Sequence, residues 1–221
     1  MSTVEEAVRA IRAGNPVVLP FDTVYGLAAD PHSEEASHRL YVLKGRPETQ
    51  PTALVARDID YLLERIPEMR GRAATLAREL LPGPYTLILP NPAQRFRWLT
   101  GSNRDALGVR VPELSGPGAD VLTRVGAVAA TSANHPGEPD PVTLDDVSED
   151  IRVDAAAVVD GGELPGTPST VIDLTGDEPR VLREGAVSAA EALRRLEAPV
   201  RSSRTPGEES RWPSPSSRSS S

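Results

Sequence analysis

Lys44 is the only lysine in the chain; every other strong cation among its 24 Lys and Arg residues is an arginine. It stands in Leu43-Lys44-Gly45-Arg46-Pro47, where a helical pattern should give way to a loop. Lysine is a compact point charge with three rotatable donors, and arginine is a planar fork. Together at such a junction they suit an anion, above all a phosphate. Five further segments set polar groups beside glycine or proline at the ends of apolar runs. They are Asp22-Thr23-Val24-Tyr25-Gly26-Leu27, Leu81-Pro82-Gly83-Pro84-Tyr85-Thr86, Gly108-Val109-Arg110-Val111-Pro112, Thr131-Ser132-Ala133-Asn134 and Pro168-Ser169-Thr170-Val171-Ile172-Asp173. In open α/β sheets, ligands bind at strand ends and the loops beyond them. Taken singly, Thr23, Ser132 and Ser169 also fit ordinary turns and caps, and Lys44 fits chance survival in an arginine-rich composition. Arg110 lies between Val109 and Val111 in an apolar run, so its guanidinium must find solvent, an acid or a ligand.

Much familiar chemistry is excluded. There are no cysteines, so disulfides, thiolate nucleophiles and cysteine zinc sites are ruled out. The sequence has no Gly-x-x-x-x-Gly-Lys-Ser/Thr loop, no Gly-x-Gly-x-x-Gly and no Gly-x-Ser-x-Gly elbow. His32, His38 and His135 are scattered without metal-ligand spacing and read as surface residues. Asp145, Asp146, Glu149 and Asp150 read as a solvated acidic helix end rather than a metal site. The net charge of -8 argues against a broad nucleic-acid face, while a local basic pocket remains compatible with it. No apolar signal region follows Met1, and no apolar run reaches spanning length. The expectation is a soluble cytoplasmic protein without a membrane partner.

The elements that must hold these segments alternate. Thr3 and Glu6 form a capping-box pattern, followed by helical spacing at Val4, Ala7, Val8 and Ile11 and a stop at Gly14. Strand patterns fall over 16–20, 23–28, 52–56, 85–89, 108–111, 127–131, 156–159, 170–174 and 180–182. Helical patterns fall over 34–43, 59–66, 72–81, 118–124, 144–149 and 189–197. Such interleaving predicts an α/β fold, and the short connections predict a mixed open sheet. With aromatics at 4% of residues, the core must be built from Val, Leu, Ile and Ala. One domain over 1–198 is expected. From 199 to 221 the chain is Ser, Arg and Pro with little apolar content, and a disordered tail is expected there.

The six segments, in this order, resemble the YrdC-type family of threonylcarbamoyl-AMP synthases, from about Val4 to about Gly185. The chain is similar to the short, single-domain form. The resemblance implies a twisted mixed sheet with flanking helices around a deep, positively charged cavity. It implies a nucleotidyltransferase that makes L-threonylcarbamoyl-AMP and pyrophosphate from ATP, L-threonine and bicarbonate, with Mg²⁺ arriving on ATP. A downstream threonylcarbamoyl transferase complex would pass the group to the adenosine next to the anticodon of tRNAs reading ANN codons, so tRNA contact would be indirect. By matching position, Thr23, Arg110, Ala130 and Ser169 fall where the family holds threonine. Lys44, Arg46, Gln50, Ala106, Ser132, Asn134, Asp140 and Arg183 fall on the ATP side, with Lys44 and Arg46 the expected catalytic cations and Lys44 expected over the phosphates. No protein ligand for the metal is identified.

Three positions depart from the family's pattern. Phe21 stands where a threonine is frequent, Val55 where some relatives have histidine, and Asp140 where some have serine. Two other classes fit parts of the pattern: a non-catalytic RNA- or nucleotide-binding module of this fold, and a carbamoyl-adenylate domain of hydrogenase maturation. The second lacks its accessory domains and cysteine motifs here.

Overall fold

The computed structural model describes residues 1–67 and 69–203. Eight strands and seven helices alternate through them: α1 Val4–Arg12, β1 Val17–Pro20, β2 Tyr25–Ala29, α2 Glu34–Lys44, β3 Ala53–Ala56, α3 Ile59–Arg65, α4 Gly71–Leu80, β4 Tyr85–Pro90, β5 Ala106–Arg110, α5 Gly116–Val125, β6 Ala127–Ser132, α6 Glu149–Asp154, β7 Thr170–Asp173, β8 Arg180–Arg183 and α7 Ala189–Ser203. The strands form one sheet in the order β1-β2-β6-β3-β5-β4-β7-β8. β3 pairs with β5, and β4 with β7, in parallel; the other neighbours are antiparallel. The expected mixed α/β sheet is therefore present.

Helix ends follow their sequence signals. The Thr3 hydroxyl accepts from the Glu6 N–H at 3.2 Å and the Glu6 carboxylate accepts from the Thr3 N–H at 2.8 Å, which closes the capping box. α2 starts on Ser33, whose hydroxyl accepts from the Ala36 N–H. It ends on Gly45 at φ 65°, the left-handed conformation a glycine adopts without a Cβ penalty.

Alternation along the strands sorts the core into two layers. Val18, Leu27, Leu54, Ala129, Val109, Leu87 and Ile172 point to one face, against α2, α3, α4 and α7. Val17, Leu19, Ala28, Val55 and Val128 point to the other, against Ala7, Val8 and Ile11 of α1 and Val121 and Leu122 of α5. α1 and α5 cover β1 and the adjoining parts of β2, β6 and β3 on that second face, and leave Ala53, Ala130 and Ser132 at its margin open to a cavity. On the β5-β4-β7-β8 half, the residues of the same parity face the same cavity.

Three expectations change. The helix expected over 144–149 is a 3-10 turn, Leu144–Asp146, followed by α6. Thr143 and Asp146 close a second capping box at its start, and the turn stops where Val147 takes an extended conformation at φ -67° and ψ 128°. The strand expected over 156–159 makes one parallel bridge, Val18 to Val158, along the outer edge of β1. α7 continues past Pro199 to Ser203, and residues 204–221 of the expected tail lie outside the described residues. Among the described residues no helix is long and apolar enough to cross a membrane.

α5 crosses β1 so closely that a Cβ on Gly118 would sit 2.2 Å from the Pro20 carbonyl oxygen. Gly118→Ala should therefore destabilise by about 1–3 kcal/mol through overpacking, although Ala in a helix is otherwise favoured by about 0.5–1 kcal/mol. Denaturant unfolding reads the difference; a gain in stability would mean the crossing is looser than described.

Candidate functional site

The uncovered half-face encloses a cavity of about 510 Å³. Its floor is the sheet: Ala53 of β3, Thr86 and Ile88 of β4, Ala106, Gly108 and Arg110 of β5, Ala130 and Ser132 of β6, and Val171 of β7. Small residues at 53, 106, 108 and 130 leave the room that α1 and α5 fill elsewhere. Arg46, Arg110 and Arg183 line it, with Asp140 as the carboxylate among the described lining residues. The expected deep basic cavity is thus formed.

One end gathers Thr23, Arg110, Ser169 and Arg183. Thr23 lies in the loop between β1 and β2, 2% exposed, and its hydroxyl has no partner. Its carbonyl accepts from the Gly166 N–H at 2.8 Å. The Tyr25 hydroxyl donates to the Gly162 carbonyl at 2.7 Å and accepts from the Gly161 N–H at 2.9 Å, so the 160–166 loop is tied to the same corner. Arg110 donates through Nη2 to Asp22 Oδ1 at 2.7 Å, with both side chains almost wholly buried. Arg110 Nε and Asp22 Oδ2 remain without partners. Burial pushes the Asp22 carboxyl up, against the pull of Arg110. Burial likewise pulls the Arg110 guanidinium down, and Arg183 adds repulsion. Arg183 donates to the Ser169 carbonyl at 2.9 Å, and the Ser169 hydroxyl shares a 2.8 Å bond with Thr86. Arg110 Nε and the Thr23 hydroxyl are thus buried groups without partners at this corner, and a guanidinium fork suits a carboxylate.

The other end is the wall made by 131–134 and the start of the α2-β3 loop. Arg46 donates to Thr131 Oγ1 at 3.1 Å and to the Pro51 carbonyl, and lies 5.9 Å from the Tyr41 ring centre. Its Nε has no partner. Lys44 is 4% exposed and is not among the cavity-lining residues. Its Nζ donates to the Ser132 carbonyl at 2.6 Å, to Asn134 Oδ1 at 2.6 Å and to Ser132 Oγ at 3.3 Å. Asn134 Nδ2 then donates to the carbonyls of Glu138 and Pro139 at 2.7 and 3.1 Å, which positions the segment leading to Asp140. Burial pulls the Lys44 ammonium down to about 8, and Arg46 adds repulsion.

The expected residues are therefore divided. Thr23, Arg46, Ala106, Arg110, Ala130, Ser132, Asp140, Ser169 and Arg183 share one cavity. Lys44 was expected over the phosphates and instead stands behind the wall, because three acceptors from one turn saturate its ammonium. Asn134 is its buried partner, 5% exposed. Gln50 is exposed and does not line the cavity; its carbonyl accepts from the Tyr41 hydroxyl at 3.0 Å. Arg183, expected on the nucleotide side, reaches Ser169 and stands near Arg110. Asp22 and Thr86 were missed as site residues although both lie in the polar segments; their parity and neighbours were the available signal. His135 was read as a surface residue, and the structure makes it half-buried and bonded on both ring nitrogens.

A mixed α/β sheet with one half-covered face, and with Arg110 and Arg46 at the two ends of one cavity, has the electrostatics to suit an anionic small molecule. Residues 9–185 match the model of the Sua5/YciO/YrdC family, whose description is telomere recombination. The chain belongs to that family. It is 37% identical over 184 residues to the threonylcarbamoyl-AMP synthase of Pyrococcus abyssi, covering 82% of this chain and 53% of the relative. It is 34% identical over 183 residues to a putative threonylcarbamoyl-AMP synthase of Mycobacterium tuberculosis, covering 82% and 83%. The structure of Pyrococcus abyssi Sua5 complexed with L-threonine superposes with a TM-score of 0.79 at 34% identity, over 88% of this chain and 57% of that one. The chain thus spans about half the length of the archaeal relative and most of the mycobacterial one.

Lys44→Arg should lower stability by about 1–3 kcal/mol, because a longer planar fork cannot meet three acceptors arranged round one nitrogen. An unchanged melting temperature would show that the buried pocket accepts either cation.

Proposed function

We propose that the protein is an L-threonylcarbamoyl-AMP synthase. The observation that carries this reading is the single cavity with unpartnered polar groups at both ends: Thr23 Oγ1 and Arg110 Nε at one, Arg46 Nε at the other. Buried polar groups without partners cost stability unless a ligand completes them. The likeness to the threonine-complexed Pyrococcus structure and to relatives named as synthases supports it.

In this reading Arg110 receives the threonine carboxylate on the donors that Asp22 leaves free. Thr23, Ser169 and the Ala130 main chain hold the rest of the amino acid. The threonine amine and bicarbonate give N-carboxy-threonine and water. A carbamate oxygen then attacks the α-phosphorus of ATP, the bond to the β-phosphate oxygen breaks, and pyrophosphate leaves. Charge builds on the phosphoryl oxygens and on the leaving group. Arg46, Ser132 and the Ala106 main chain face that region, and no protein nucleophile is required. Lys44 acts through Ser132 and Asn134 and is a positioning residue, and Gln50 has no direct part in this arrangement. Arg183 braces Ser169 and adds positive potential. Mg²⁺ would be held mainly by phosphate oxygens and water, neutralising charge as it arrives with ATP. Asp140 is the lining carboxylate able to join its shell, and among the described residues no group of three or more His, Cys, Asp or Glu could hold a metal alone. The proposal extends to a cytoplasmic setting and to a downstream transferase that moves the threonylcarbamoyl group to tRNA.

Incubation with ATP, L-threonine, bicarbonate and Mg²⁺ should release pyrophosphate and form the adenylate. Threonine-independent release would reject the reading, and RNA binding without turnover would favour the binding module. Arg110→Ala should raise KM for threonine far more than KM for ATP, with a loss in kcat/KM of about a hundredfold or more. Equal effects on both substrates would show that Arg110 does not serve the amino-acid end. As pH rises through about 8, Lys44 loses its proton, so kcat/KM for ATP should fall over that range. A flat profile from pH 7 to 9.5 would show that its charge is not needed.

A further inference from the structure

His135 follows the Ser132-Ala133-Asn134 turn and lies between two helices. Its Nδ1 is 3.2 Å from the Lys44 carbonyl oxygen, and its Nε2 is 2.7 Å from Asp150 Oδ2 of α6. Both of those atoms only accept. A neutral imidazole has one N–H, so it satisfies one of the two; an imidazolium donates on both nitrogens. The Lys44 carbonyl is among the last of α2, and its helix end favours a cation. Gly45 makes room: a Cβ there would lie 3.2 Å from Nδ1. The His135 N–H also donates to Glu138 Oε2 at 2.9 Å, and Ser148 donates to the same oxygen at 2.7 Å. The ring thus joins the end of α2, the cavity wall and α6.

We propose that protonated His135 is a positioning residue: it clamps the end of α2 to α6 and so holds the Lys44–Asn134–Ser132 wall in the shape that receives the nucleotide. The clamp deepens the synthase reading and rests on it for the identity of the ligand. Its reach is local. Lys44 carries on one residue both the carbonyl that His135 grips and the ammonium that organises Ser132 and Asn134. Asp150 and Glu138 act directly on the ring, and the two grooves it lines also hold Asp140 of its own loop, Asp154 of α6, and His38 and Arg39 of α2. Asp145, Asp146, Glu149 and Arg152 lie farther along the same groove. Carboxylates predominate, so the surroundings favour the cation. The hydrogen bond to Asp150 and the Lys44 carbonyl hold His135 above the ordinary histidine value. The stabilisation is accordingly complete below the unfolded value and is lost as pH rises through the raised one.

The test is an NMR titration of the His135 ring in the full chain, in wild type and Asp150→Asn, with hydrogen exchange at the Asn134 side-chain amide and ATP kinetics across the same pH range. His135 should titrate above its ordinary value and fall back toward it in Asp150→Asn. Deprotonation, or His135→Ala at any pH, should speed exchange at Asn134 and raise KM for ATP severalfold, with KM for threonine unchanged. In His135→Ala the pH step in KM for ATP near the His135 value should vanish. Titration at or below the ordinary value overturns the proposal, as does a His135→Ala protein with unchanged exchange and unchanged KM for ATP. If titration and exchange behave as expected but wild type releases no pyrophosphate, the clamp stands and the synthase reading falls.

Discussion

The structure depends on one unequal covering. Both faces of the sheet obey the same two-residue alternation, and one face is covered along its length. On the other, α1 and α5 cover β1 and the adjoining parts of β2, β6 and β3 and stop short of Ala53, Ala130 and Ser132. Beyond them the same parity carries Ala106, Gly108, Arg110, Thr86 and Val171 into open space. The cavity is the part of a sandwich that received no second layer. The strands around it stay rigid because their opposite parity, Leu87, Leu107, Val109 and Ile172, is fully buried on the covered face. A floor made this way holds side chains in place without a ligand, the preorganisation that an electrostatic site needs.

Charge at this floor is arranged by burial rather than by number. The chain is acidic overall, at -8, yet three arginines face one cavity. Each is held by an internal acceptor: Arg110 by Asp22, Arg46 by Thr131 and the Pro51 carbonyl, and the exposed Arg183 by the Ser169 carbonyl; Arg110 and Arg46 each keep a buried Nε without a partner. Removing water makes each such charge costly and each new anionic contact stronger. Lys44 belongs to a different layer. Its ammonium is consumed by the wall turn, and with Asn134 it fixes where Ser132 and the segment before Asp140 stand.

The polar segments announced the site before its geometry was known. Glycine or proline beside Thr23, Lys44, Arg110, Ser132 and Ser169 marks strand ends, and alternation in β5 already put Arg110 on the parity of Ala106 and Gly108. Thr143 and Asp146 carry a helix-start signal that the structure honours, but Val147 turns extended after one turn and the next helix starts only at Glu149, so the single helix expected over 144–149 is split. The 156–159 segment carries strand residues and runs along the outer edge of β1, bonded through the Ala156 N–H, the Ala157 carbonyl and the Val159 N–H about the one Val18–Val158 bridge. Gln50 fell on the nucleotide side by sequence position, yet the turn at 47–50 directs its side chain outward.

By itself the sequence determined the alternation of elements, the aliphatic core, the helix caps and the set of segments that bear chemistry, because these follow from local spacing and backbone preference. Tertiary structure alone decided which half of the sheet went uncovered, and hence which polar residues meet. It also decided the fate of the single lysine. Nothing local distinguishes an ammonium aimed at a ligand from one aimed at Ser132 and Asn134, nearly ninety residues away. That choice depends on where β6 lies against the end of α2, and it made Lys44 the support of the wall and His135 its neighbour.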